Sequence, residues 1–316
     1  MPDKPKWIRW QKPIQRVLYA LIPIVLSSVY FFGWRVLLML LLVNAAGYLA
    51  EYAFTRKWGT PVTSAVLVTN TLFCLSLPPA LPIWMAILGI VFAVVFGKMV
   101  FGGFGKNIFN PALTGRAFLY ISFGGFMTGR WSAPVPGVPG GLTAYAADAI
   151  TTATPGIVLK TDPSAVSLSG LFLGNTAGCI GGTSAILVLL GGIYITWTRA
   201  ANYRIVISCL AGYLVMQGTL WLSGVSGAAD PVRAAFSGSL LIGAFFYATD
   251  PVSASQTNEG RWVYGAFIGA MSCIISIFAA WPAGTMFAIL LANMFAPIMD
   301  LGIGELKARK KARLAA

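Results

Sequence analysis

The sequence predicts an all-α polytopic membrane protein, and three observations carry that prediction. Of 316 residues, 57% are hydrophobic, only 10% are charged against roughly 25% in soluble domains, and long uncharged runs recur between residues 17 and 299. An ordinary soluble enzyme of this length is excluded, because so few charges could not keep its surface wet. The 22 Lys+Arg against nine Asp+Glu give a net charge of +13. In a soluble chain that would suggest nucleic acid; in a membrane chain it is read by position, and no nucleic-acid partner is expected. Histidine is absent, which removes the usual imidazole base or metal ligand. Cys74, Cys179, Cys209 and Cys273 stand singly in apolar segments, the pattern of inert packing residues. An iron-sulfur role would need cysteines from separate helices or another subunit.

A bilayer core of about 30 Å needs about 20 apolar residues per helix, fewer where a helix is broken or re-entrant. On that measure about ten crossings are expected. The clear ones cover 17–34, 36–54, 83–97, 183–198, 205–226, 234–249, 262–281 and 283–299. Two are less regular: 62–77 ends in Pro78-Pro79, and 112–128 is interrupted by Gly115, Arg116 and the Gly124-Gly125 pair. The uncharged stretch 163–198 is too long for one helix, so its Gly-rich first half is expected to form a half-helix or re-entrant segment.

Basic residues favour the cytoplasmic side. With the amino terminus inside, all but four of them fall in cytoplasmic segments, Lys98, Lys106 and Arg116 among these; the exceptions are Arg35, Arg130, Lys160 and Arg233. Both termini are therefore expected in the cytoplasm, with residues 1–16 and 301–316 as basic ends. The first apolar stretch lacks a small-residue cleavage site and reads as a retained helix. The one long loop, 129–162, falls outside and separates halves of about five crossings, 17–128 and 163–300. Odd-numbered halves have opposite topologies, as in folds built from inverted repeats. Each half carries a Pro-interrupted polar stretch on the cytoplasmic side, 107–116 and 249–258. Irregular backbone at membrane depth belongs where it lines a cavity, so these stretches are the first candidates for a site.

The first stretch contains Gly105-Lys106-Asn107-Ile108-Phe109-Asn110-Pro111. Asn follows the Lys where a phosphate loop has Ser or Thr, and no G-x-x-x-x-G-K-S/T frame fits, so nucleotide triphosphate binding is rejected. The amides of Asn107 and Asn110 suit the polar edge of a planar heterocycle, but from spacing alone capping of a helix starting near Pro111 is the favoured reading. In the outer loop, Asp148-Ala149-Ile150-Thr151-Thr152-Ala153-Thr154 reads by itself as a turn and capping segment.

That loop resembles the flavin-attachment motif, approximately D-x-x-S/T-G-A-T, of the NqrB/RnfD family, the membrane subunits of sodium-translocating NADH:quinone reductase and of the Rnf ferredoxin:NAD oxidoreductase. Three further stretches, FGGFGKNIFNPALTGRAFL (101–119), ATDPVSASQTNEGRWVYG (248–265) and AILLANMFAPIMD (288–300), resemble NqrB at corresponding places. ISFGGFMTG (121–129) and the Ala-Thr-Pro ending of the flavin motif look more like RnfD. The resemblance implies ten helices in two inverted five-helix repeats, similar to the urea-transporter architecture. It implies FMN on Thr154 through a phosphoester made by a flavin transferase on the extracytoplasmic face, with Asp148 and Thr151 in the same motif. It further implies a noncovalent riboflavin near Asn107 and Asn110, which makes capping the lesser reading there. Partner subunits would include a second flavoprotein and iron-sulfur subunits, in the lipid of a prokaryotic cytoplasmic membrane.

Three departures from the family pattern stand out. Thr152 replaces the usual Gly of the flavin motif, Gly182 replaces Glu in the family's G-x-I/L-G-E-T-S, and the segment at 64–73 lacks the acidic-Gly pair that precedes the matching helix of quinone-reducing relatives. Of the acids, Asp250 and Asp300 are the candidates for lining an ion path, ahead of Glu51. Asp250 could instead cap a helix, and Asp300 is expected to end the last helix. The sequence thus points to a subunit of an ion-translocating oxidoreductase, inactive alone, coupling electron transfer to Na+ or H+ movement. The rival from another class is a solute channel on the same scaffold without flavin.

Overall fold

The computed structural model describes residues 8–129, 131–147, 152–162, 165–279 and 284–315. Helix α1 (Lys12–Phe32) opens on Pro13, whose missing N–H costs nothing in a first turn, and closes at Gly33, whose φ of 87° suits glycine. A Cβ at Gly33 would lie 2.6 Å from the Ala144 carbonyl, so glycine also admits the segment 131–147 against this corner. Val135 and Ala147 donate from that segment to the Phe31 and Phe32 carbonyls. Helix α2 (Arg35–Trp58) returns, and its 24 residues reach about 36 Å at 1.5 Å per residue, enough to cross a bilayer core.

The next elements are shorter. Helix α3 (Ala65–Leu75) stops before Pro78 and Pro79, and the Arg35 guanidinium donates to the Pro79 and Leu81 carbonyls left free there. Helix α4 (Ile83–Val94) runs into a π-helical turn, Val95–Met99. After the irregular stretch 100–110 comes α5 (Pro111–Ser122), then α6 (Gly124–Thr128); the break falls at Phe123, whereas Gly115 and Arg116 sit inside α5 and do not interrupt it. Short helices α7 (Pro155–Thr161) and α8 (Leu168–Leu173) follow, and then α9 (Ala185–Trp197). The described part of the stretch 163–198, from 165 on, therefore divides as expected into a short helix, an irregular segment and a longer helix.

Helix α10 (Tyr203–Leu222) is regular, but the expected crossing at 234–249 is not one helix. It is built from α11 (Pro231–Phe236), α12 (Leu240–Ile242) and a second π-helical turn, Gly243–Tyr247. Helices α13 (Asn258–Phe278) and α14 (Gly284–Ala315) complete the chain. The last helix does not end at Asp300: it continues through the basic tail, whose straight-chain Lys, Arg, Leu and Ala favour helix. Among the described residues, α1, α2, α10, α13 and α14 are long and apolar enough to cross a membrane, with α3, the run Ile83–Met99 and α9 as shorter apolar helices. A parallel pair of two-residue strands, β1 (Ile8–Arg9) and β2 (Val62–Thr63), ties the chain start to the α2–α3 connection.

This is an all-α, multi-pass membrane architecture. Leu26, Leu41, Leu49, Ile207, Val215 and Ile298 are exposed on helix surfaces, where only a hydrocarbon environment removes the cost of wetting them. Exposed tryptophans stand at helix ends, Trp34 and Trp58 bracketing α2 and Trp84 opening α4, as in an interfacial belt. Backbone freed by the helix breaks is satisfied inside the protein: Gly181 donates to the Leu75 carbonyl at 2.7 Å, Ile180 to Leu77 at 3.0 Å, and the Ser28 hydroxyl to Ile180 at 2.8 Å. The segment after α3 and the segment before α9 thus pair with each other in the interior. The start of α1 and the region of Asp300 lie on one face, the tail face; the segment 131–147 and α7 lie on the opposite one, the loop face.

Candidate functional site

Two cavities open on opposite faces, and helix α5 contributes to both. The tail-face cavity encloses about 1060 Å³ of empty space, its mouth included. Lys98, Asn107, Asn110, Thr249 and Asp250 supply polar groups, while Val17, Leu72, Phe104, Ile195 and Phe246 supply apolar walls. The two irregular stretches singled out in the sequence therefore meet in one site. Each is preceded by a π-helical turn and followed by an N-capped helix, α5 capped by Asn110 and α13 by Thr257.

Capping by Asn110 holds. Its Oδ1 accepts from the backbone of Ala112 at 3.0 Å and Leu113 at 3.3 Å, and its Nδ2 donates to the Tyr247 carbonyl at 3.2 Å. One N–H of that amide is left over for a ligand. Asn107 is less committed: its Nδ2 donates to the Phe109 carbonyl at 3.1 Å, and its side chain faces the Asp250 carboxylate. Asp250 caps no helix. It closes a turn, accepting from the Val252 backbone at 3.2 Å and the Ser253 hydroxyl at 2.8 Å.

Asp300 lies within α14 and holds the entry to α13, accepting from the Ser255 and Thr257 hydroxyls and from the backbone of Gln256 and Thr257, all within 3.0 Å. Sequence reasoning missed Asn293, which joins the parts: its Oδ1 accepts from the Asn110 backbone, and its Nδ2 donates to the Ser253 carbonyl and the Tyr264 hydroxyl. It also misplaced Lys98. Rather than sitting in a cytoplasmic segment, Lys98 is buried with Glu51, its Nζ 2.5 Å from the carboxylate and 3.1 Å from the Thr63 hydroxyl. A lysine inside the apolar run Ile83–Met99 was the available signal.

The loop-face cavity encloses about 1130 Å³ with its mouth. Thr154, Lys160, Trp131, Cys179, Gly182 and Arg116 are among its lining residues. Thr154 occupies the N-cap position of α7, yet its side chain makes no capping hydrogen bond, which leaves the hydroxyl available for chemistry. Thr152, by contrast, is held to the Trp131 carbonyl through both its backbone and its hydroxyl. Lys160, on α7 with Thr154, donates to the Ile277 carbonyl at 3.4 Å, and burial lowers its ammonium pKa from the ordinary lysine value. Asp148 and Thr151 lie outside the described residues. Arg116 is not cytoplasmic: it is 5% exposed, midway along α5, and lines this cavity. Among the described residues no cluster of acids and cysteines could hold a metal ion.

A profile of the NQR2, RnfD, RnfE family matches residues 6–306. The chain belongs to that family. Among its relatives, the B component of the Na(+)-translocating NADH-quinone reductase of Ectopseudomonas mendocina is 40% identical over 263 residues, 80% of this chain and 62% of that protein. The corresponding component from Neisseria meningitidis serogroup B is 38% identical over 289 residues, 86% of this chain and 67% of the relative. The D component of the ion-translocating oxidoreductase complex of Yersinia pseudotuberculosis is 35% identical over 316 residues, 90% of each chain. The chain thus spans under two thirds of the first of these relatives and nearly all of the last. Both cavities lie within the span of the family match, and so do the residues that line them.

Proposed function

We propose that this family member is the membrane subunit of an ion-translocating oxidoreductase complex of the Nqr or Rnf type. In this reading it carries electrons between two flavins and couples their passage to Na+ or H+ movement. FMN would be ester-linked to Thr154 in the loop-face cavity, and riboflavin would sit in the tail-face cavity. The observation that carries the reading is the pairing of an uncommitted threonine hydroxyl with one cavity and an amide-carboxylate cluster with the other.

The residues fit both groups. The tail-face cavity sets Asn107, the spare Asn110 N–H and Asp250 against Phe104 and Phe246, polar groups for a heterocycle's edge and apolar surface for its faces. On the loop face, the Arg116 Nε and the Trp131 indole N–H are unfilled hydrogen-bond donors in the cavity that Thr154 also lines. When bound, the flavins supply the redox chemistry; the protein orients them, keeps water out and tunes their potentials. Helix α5 links the sites: Ala112 lines one cavity and Arg116 the other, about 6 Å apart along the axis at 1.5 Å per residue.

Asp250 and Asp300 would flank the ion path at the tail face, with Asp300 acting through the loop it anchors. The matched π-turn, irregular stretch and capped helix in each half support two inverted five-helix repeats of urea-transporter type, about 17–128 and 163–300. The remaining partners in this reading are a second flavoprotein subunit, iron-sulfur subunits, a flavin transferase and the lipid of a prokaryotic inner membrane, with both termini cytoplasmic.

The test is co-expression with a flavin transferase, followed by a denaturing gel viewed under ultraviolet light. A fluorescent band is expected in the parent and none in Thr154→Val. A dark parent beside a labelled control substrate would refute attachment and favour a solute channel without flavin.

A further inference from the structure

We infer that Arg116 holds the negative charge of the reduced isoalloxazine ring in the loop-face cavity and thereby raises the potential of the flavin on Thr154; this rests on the attachment reading above. Arg116 is 5% exposed, its Nε has no hydrogen-bond partner, and none of the described carboxylates or carbonyls is hydrogen-bonded to its guanidinium. Arginine does not shed its proton in proteins, so the charge stays. A buried cation without a counter-charge is strongly unfavourable, which implies that an anion belongs in the space it faces. Among the described residues, the groups that surround it electrostatically are Tyr120, Cys179 and Tyr247, phenols and a thiol rather than carboxylates. A second observation is independent of the charge. The indole N–H of Trp131, a residue 5% exposed, also lacks a partner and lines the same cavity. Two buried donors without an acceptor, one of them cationic, describe a place for an acceptor-rich anionic group.

The cofactor would bring two anionic groups, and the geometry separates them. The phosphate would be bonded to Thr154 at the start of α7, on the loop face. Arg116 lies deeper, one helical turn from Ala112, which already belongs to the other cavity. A ribityl chain bonded through that phosphate would carry the ring away from Thr154 into the cavity that Arg116 lines. A two-electron-reduced ring protonated only at N5, as dithionite would produce it, would carry its negative charge on N1 and the C2 carbonyl. A guanidinium offers those two acceptors a planar fork of donors. Stabilising the reduced ring more than the oxidised one moves the potential upward.

The experiment uses the full chain co-expressed with the transferase, in parent, Arg116→Gln, Arg116→Lys and Thr154→Val forms. Each purified protein is titrated with dithionite as the electron source while visible absorbance is followed. Subtracting the Thr154→Val titration isolates the ester-linked flavin. The expected result is a midpoint potential shifted to more negative values in Arg116→Gln and largely restored in Arg116→Lys, with the fluorescent band on the denaturing gel kept in both. An unshifted potential in a labelled Arg116→Gln protein would overturn the inference and leave the attachment reading intact. Loss of the band in Arg116→Gln and Arg116→Lys alike would also overturn it, in favour of a role at the phosphate. A dark parent would instead refute attachment itself. If Arg116→Gln does not fold, Arg116→Lys still decides: the inference requires its potential to stay near the parent's, and a large negative shift would refute it.

Discussion

Lys98 and Glu51 form a buried ion pair whose residues are 2% and 1% exposed, closed by Thr63. Removing one partner of such a pair costs about 3–5 kcal/mol, because the other charge stays buried alone, whereas removing both often costs little. Lys98→Met is therefore expected to lower the unfolding temperature sharply in detergent, and Lys98→Met with Glu51→Gln to recover most of the loss. A thermal melt of the three proteins checks this; equal melting of single and double variants would assign Lys98 to the cavity rather than to the pair. Asn107 and Asn110 divide their work differently. Asn110→Leu removes a helix cap, worth about 1 kcal/mol, together with a long-range bond to the Tyr247 carbonyl. Asn107→Leu spares the cap, so it is expected to reduce the noncovalent flavin retained through purification while leaving the ester-linked band unchanged. Acid extraction followed by chromatography of the released flavin measures it.

At the scale of elements, α10 and α13 pack closely through small residues. A Cβ at Gly269 would lie 2.0 Å from the Cys209 carbonyl, and one at Gly265 would lie 2.0 Å from the Ser208 hydroxyl and 2.5 Å from the Ile205 carbonyl. Close backbone approach through such residues is how helices associate in lipid, where there is no hydrophobic drive between them. Gly269→Val is expected to cost more than the roughly 1–3 kcal/mol of ordinary overpacking, since the obstacle is backbone. Size-exclusion profiles in detergent would then show aggregation or loss of the monodisperse peak. The contrasting control is Gly124, where a Cβ meets nothing within 4 Å and Gly124→Ala is expected to be silent.

Among the described residues, the start of α1 and the Asp300 region of α14 lie on one face and Thr154 on the other. With basic residues concentrated at the ends, the tail face is expected in the cytoplasm. Single-cysteine reporters test this, using Val138→Cys at 91% exposure on the loop face and Leu314→Cys at 79% in the tail, because the four native cysteines are buried. In intact cells an impermeant maleimide should label the first and spare the second; the reverse would put Thr154 on the wrong side for an extracytoplasmic transferase. For the assembled complex, ferredoxin-dependent NAD reduction compared with NADH-dependent quinone reduction separates the Rnf assignment from the Nqr one.

Composition and hydropathy alone determined the class of this protein. Few charges and long apolar runs have no other stable arrangement than helices in a bilayer, and the position of the Pro and Gly residues already marked where those helices would break. The irregular stretches at 107–116 and 249–258 were legible for the same reason. Tertiary structure decided what the polar residues inside the bundle do. Lys98 and Arg116 counted as cytoplasmic charges in the sequence, and only packing showed one paired with Glu51 and the other with an unpartnered Nε in the cavity that Thr154 also lines. Asn293 gave no local signal, since an amide in an apolar helix acquires its role from partners far away in the chain. Burial, pairing and the meeting of distant segments are properties of contacts, and contacts between residues 29 to 183 positions apart are absent from any local pattern of composition or period.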